Sequence, residues 1–108
     1  MTSNFKQKRL EDPAYLKAIR EKDCVISGMP GPSDPAHIRY GLAGGMGRKP
    51  DDNLVVPLSH KLHQIQHNIG EVSFWCKYLP QNPHFLMECV KAYAREQYRK
   101  KDDNAGFF

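Results

Sequence analysis

No apolar run in the sequence approaches the ~18 residues that a bilayer crossing needs, and the mean hydropathy is -0.66. Residues 1–22 are polar throughout, so the basic-then-apolar start of a secretory signal is missing as well. Cysteine is scarce. The three thiols, Cys24, Cys76 and Cys89, include no C-x-x-C pair, and an odd, scattered set fits a reducing compartment better than a disulfide framework. No internal repeat or low-complexity stretch interrupts the chain. A membrane protein, a secreted scaffold and a long disordered tail are therefore not expected, and the expected address is the cytoplasm.

What remains is 108 residues, room for a single core. Sixteen Lys and Arg against twelve Asp and Glu give a formal charge of +4, a mild bias toward polyanions. Residues 1–50 hold nine of the basic and five of the acidic side chains, so the first half carries the whole excess. The expected fold class is α+β. One domain spans 1–108, with an N-terminal helical arm at 1–23, a core at 24–70 and C-terminal helices at 71–108.

Asp12-Pro13 signals a helix start, a capping carboxylate followed by proline in the first turn. Tyr15, Leu16 and Ile19 then form an apolar stripe, with Lys17, Arg20 and Lys22 on the wet side. The prolines and glycines of 27–35 demand a tight loop. A short strand is predicted over 36–40, and a second glycine-rich loop follows at 41–52. A buried β-branched strand, stopped by Pro57, is predicted over 53–58. Ser59 caps a helix from His60 to about Asn68, with Gly70 closing it. A short helix is predicted from Glu71 to Leu79. A longer one runs from Asn82-Pro83 to about Lys101, with Phe85, Leu86, Cys89, Val90 and Tyr93 at helical spacing. Phe74, Trp75, Cys76 and Cys89 are expected in the core.

Three of the five histidines, His60, His63 and His67, fall on one predicted helix. At 3.6 residues per turn they lie within about 60° of one another, while Leu62, Ile65 and Ile69 cluster on nearly the opposite side. His63 and His67 stand at i and i+4, the spacing that lets two imidazoles grip one metal ion. The bland alternative is a solvated face, since histidine is common on helix surfaces. The context decides between them: a short strand carrying His37 and a second beginning at Asn53, with the histidine helix directly after.

In that order the segment AHIRYGLAGGMGRKPDDNLVVPLSHKLHQIQH resembles the HNH, or ββα-metal, nuclease superfamily, and within it small phage- and prophage-borne nucleases. The shared elements are a histidine, a G-G-M-G-x-K loop, an acidic residue, a P-L pair and spaced histidines. The resemblance covers about residues 24–70. It implies a small ββα-metal core with flanking helices and a metal-dependent DNA endonuclease or nickase serving phage recombination or packaging. His37 matches the general base and Asn53 the residue that fixes it, with Asp52 in that place if the alignment slips by one. His63 and His67 match the helix ligands. The implied cofactor is one divalent ion, zinc structurally and magnesium or manganese for turnover.

Phosphodiester cleavage needs a water made nucleophilic near neutral pH, which suits histidine as proton acceptor. It also needs a cation where charge develops on the departing oxygen. Two departures stand out. Ala36 occupies the position where many relatives carry a further ligand, leaving His60, Asp34 or Asp52 to replace it. Cys24 lacks partners for a four-cysteine zinc site, since Ser59 stands at a later ligand position.

The glycine loop lacks the Gly-Lys-Ser/Thr ending of a P-loop. Its glycines suit close approach to DNA phosphate, with Arg39, Arg48 and Lys49 supplying charge, or simple packing against the metal site. The expected partner is DNA, with a homodimer or a phage or host recombination protein completing the assembly. A non-catalytic metal-containing module that binds DNA or protein is the second functional class, kept alive by Ala36.

Overall fold

The computed structural model describes residues 9–41, 50–79 and 82–105, with side chains described through Lys101 in the last helix. Among the described residues six elements follow in order: α1 (Pro13–Arg20), β1 (Asp34–His37), β2 (Val55–Leu58), α2 (His60–Ile69), α3 (Glu71–Tyr78) and α4 (Pro83–Ala105). The strands form a two-stranded antiparallel hairpin followed by helices, an α+β arrangement. Among the described residues no helix is long and apolar enough to cross a membrane.

Strand β2 is buried on both sides because it separates two apolar clusters. Val55 packs with Tyr15 and Ile19 of α1, whereas Val56 and Leu58 join Ala36, Ile38, Phe74, Trp75, Leu86 and Met87 on the other side. A strand buried on both faces reads as a continuous apolar run rather than an alternation, which explains Val55-Val56-Pro57-Leu58. On β1 the alternation survives. Ala36 and Ile38 are buried, while Pro35 and His37 line an open cleft.

The local signals at the helix starts act as expected. Asp12 caps α1 by accepting the Tyr15 N–H, and Ser59 caps α2 by accepting the Leu62 N–H. Such a cap stabilises a helix by about 1 kcal/mol. Gly70 takes a φ of 95°, which lets α2 end and α3 begin within one residue. Phe74 and Trp75 are core residues, as expected.

Several boundaries and exposures differ from the sequence-based expectation. The first strand starts earlier, at Asp34, and ends at His37. Pro57 lies inside β2 rather than stopping it. The register sets Pro35 opposite Pro57, so both missing N–H groups fall on one rung, and the Pro57 carbonyl accepts the Val25 N–H at 2.9 Å. The last helix continues to Ala105, past Lys101. Cys89 is exposed and Cys76 only half-buried, so Cys89 is not a core thiol. Phe85, Tyr93 and Ile69 are likewise exposed. Leu62 and Ile65 already cover the core from α2, and one helical face is wider than the contact it makes.

Candidate active site

His37 stands at the end of β1, and its Nε2 lies 2.8 Å from Oδ1 of Asp52. Asp52 is buried in the turn before β2. The same Oδ1 accepts a bond from Arg9 Nη2 at 2.8 Å, and Oδ2 accepts the Asp12 N–H at 2.8 Å. Burial alone would push this carboxyl up. The Asp12 N–H, the His37 ring and the Arg9 charge together outweigh it and hold Asp52 below the ordinary carboxylate range. An ionised Asp52 is an acceptor only, so the facing Nε2 carries the proton. Nδ1 is then the ring atom with a lone pair to offer.

Asn53 follows Asp52 directly but does not take this place. Its Oδ1 is buried with no hydrogen-bond partner, and the group that meets His37 is the carboxylate one residue earlier. Of the two residues that the sequence leaves open, Asp52 is the one whose side chain meets the His37 ring.

The histidine stripe of α2 meets a second carboxylate, at the start of β1. Oδ2 of Asp34 lies 2.8 Å from His60 Nδ1 and 3.0 Å from His63 Nδ1. Asp34 sits below the ordinary carboxylate range, because the bonds and charges of these two histidines overcome the cost of its partial burial. Ionised Asp34 therefore places the His63 proton on Nδ1 and leaves Nε2 with its lone pair. That atom faces His67 Nε2 at 3.2 Å, with the ring centroids 4.6 Å apart.

Two imidazoles bound to one tetrahedral zinc at ~2.05 Å hold their nitrogens about 3.3 Å apart. The His63–His67 pair therefore has the spacing of two ligands to a shared ion, with Asp34 behind His63 as the outer carboxylate that fixes its tautomer. Among the described residues no group of three or more His, Cys, Asp or Glu is already arranged to hold a metal. His63 and His67 are the two imidazoles of this stripe close enough to share one ion. His60 reaches Asp34 from an exposed position, and Ala36 lies fully inside the core.

His37, His63 and His67 line one open cleft of about 430 Å³, with Arg9, Arg39 and Glu71 also on its walls. Glu71, at the start of α3, accepts the backbone N–H of Arg39 at 3.0 Å and of Tyr40 at 3.1 Å. It thereby pins the chain leaving β1 and sets Arg39 at the rim. His84 lies outside this arrangement, with Nδ1 2.7 Å from the Tyr40 hydroxyl. Arg48 and Lys49, the other expected phosphate contacts, lie outside the described residues, as does most of the glycine loop.

Residues 2–92 match the family described as a protein of unknown function, DUF968. The chain belongs to the DUF968 family. It is also similar to a protein of Escherichia coli (strain K12) bearing the name "Uncharacterized protein YdfU", at 36% identity over 73 residues. That match covers 68% of this chain but 20% of the relative, so the chain spans about a fifth of the relative's length. No solved structure matches.

Sequence reasoning placed three cleft histidines and Arg39 but missed two neighbours in this DUF968 chain. Arg9 reaches Asp52 across 43 positions, and Glu71 reaches Arg39 across 32. No local periodicity reports such separations. An acidic residue at the first position of a helix directly after a capping glycine was the only available hint for Glu71.

Proposed function

We propose that this protein is a metal-dependent DNA endonuclease of the HNH type, acting as a nickase at a single cleft. The observation that carries the reading is the shared cleft: a histidine oriented by a buried carboxylate and a histidine pair at ligand spacing open onto the same space. In this reading His37 Nδ1 accepts the proton of the attacking water. Asp52 holds the ring and stabilises the imidazolium that forms. His63 and His67 would hold a divalent ion, which would supply positive charge for the departing oxygen. Arg39 on the rim, with Arg48 and Lys49 of the glycine loop, contacts flanking phosphates. Zinc suits the imidazoles, and magnesium or manganese suits turnover through oxygen ligands.

The test is conversion of supercoiled plasmid to nicked circles by purified protein across magnesium, manganese and zinc, beside His37→Ala. Nicking is expected from the wild type, with a rate loss of about 10²–10⁴-fold in the variant and no loss of bound metal. A wild-type protein that binds metal and DNA but nicks under no ion overturns the enzyme reading. That result would favour a metal-containing binding module on the same fold, which the ligand-free Ala36 position also suits.

A further inference from the structure

Residues 9–12, ahead of α1, form a strap along the turn that carries Asp52. Leu10 donates its N–H to Asp51 Oδ1 at 2.9 Å, and its carbonyl accepts the Asp52 N–H at 3.0 Å. Asp12 donates to Asp52 Oδ2, and its own carboxylate caps α1 and accepts the Tyr98 hydroxyl of α4 at 2.8 Å. The strap is therefore anchored to two helices. It also places Arg9 at the mouth of the cleft.

An arginine on a cleft wall invites assignment to a phosphate, but three of the five guanidinium N–H groups already hold protein oxygens. Nε donates to the Pro50 carbonyl at 2.8 Å, Nη1 to Glu11 at 3.0 Å and Nη2 to Asp52 Oδ1 at 2.8 Å. All three nitrogens hold protein oxygens. The planar fork ties the turn backbone and the carboxylate into one rigid unit. Because Nη2 and His37 Nε2 share Oδ1, rotation of Asp52 away from Arg9 also carries the acceptor away from His37.

We propose that Arg9 is a positioning residue for His37: it locks Asp52 so that the ring keeps its proton on Nε2 and presents Nδ1 to the cleft. The kinetic consequence rests on the nuclease reading, whereas the tautomer of His37 does not. Among the described residues, the charged and titratable groups sharing the cleft with His37 are Arg9, Arg39, Glu71, His63 and His67, besides buried Asp52. Of these, Arg9 is the cation bonded to the His37 partner.

Nitrogen-15 NMR of the His37 ring in metal-free protein, wild type against Arg9→Gln, tests the lock directly. The wild type should show the Nε2–H form at a pH where the ring is neutral. Arg9→Gln should raise the Nδ1–H population several-fold. In the cleavage assay Arg9→Gln should lower kcat about tenfold, the low end for loss of an outer partner. KM and the salt dependence of DNA binding should stay within about twofold, because no phosphate contact is lost. Arg9→Lys, which keeps the charge but not the planar fork, should restore only part of the rate. If Arg9→Gln does not fold, Arg9→Met carries the same comparison.

Identical tautomer populations in wild type and variant overturn the proposal. So does a loss confined to KM with a flattened salt slope, which would make Arg9 a DNA contact. A wild type that never cleaves overturns the nuclease reading alone, and the tautomer comparison still decides the role of Arg9.

Discussion

Asp52 and Asp34 each hold histidine, but in different surroundings. The Asp52 side chain is 3% exposed and divides its two oxygens among Arg9, His37 and a backbone N–H. The Asp34 side chain is 32% exposed and offers a single oxygen to both His60 and His63. A buried carboxylate with every partner fixed cannot move without stranding several groups, whereas one at the surface exchanges a lost partner for water. The first arrangement suits a ring that must keep one orientation. The second leaves His60 and His63 tied to a single, partly exposed oxygen.

The largest effect that separates the two is expected from Asp52→Asn. The amide keeps the shape but cannot accept from Arg9, His37 and the Asp12 N–H together. The loss is about 2–3 kcal/mol, the scale of charged hydrogen bonds left unmet in a buried site. For a domain of this size that lowers the melting midpoint by roughly 10 °C or more, readable by calorimetry. Its pH dependence follows from the depressed carboxyl. A group with a folded-state pKa below its unfolded value stabilises the fold at neutral pH and ceases to do so as pH falls through the folded value. The gap between wild type and Asp52→Asn should therefore narrow below about pH 5 and close in stronger acid. A gap that persists unchanged into acid would show that Asp52 contributes by packing rather than by charge.

Asp34→Asn should leave the melting midpoint nearly unchanged while weakening metal binding by about tenfold, as loss of an outer carboxylate does. Titration of zinc followed by calorimetry measures both quantities on one preparation. Equal affinity in variant and wild type would remove Asp34 from the metal site. The smallest effect is expected from His60→Ala. His60 is exposed and reaches only the shared oxygen, so zinc affinity should stay within about twofold and the midpoint within about 2 °C. A loss matching that of His63→Ala would instead make His60 a ligand.

Much of this comparison was legible in the sequence for a physical reason. Helical periodicity is local, so the side shared by His60, His63 and His67 followed from spacing alone, and so did the cap at Ser59 and the break at Gly70. His37 was found because it stands on the first strand, ahead of the glycine loop and the second strand, in a recognisable order. Exposure was less legible. Cys89, Phe85 and Tyr93 have helical spacing and apolar character, yet they stand exposed, because periodicity marks a face without saying how much of it a neighbour covers.

Residue order and local periodicity by themselves thus determined the order of elements, the helix starts and the histidine stripe of α2. Each of these is set by residues within a few positions of one another. Only the tertiary structure decided that Asp52 rather than Asn53 faces His37, that Asp34 stands behind His63, and that Arg9 closes the network from the far end of the chain. Those choices depend on side-chain direction in a turn and on contacts across 15, 29 and 43 positions. Chain separations of that length acquire a defined distance only when the hairpin is packed between its two apolar clusters.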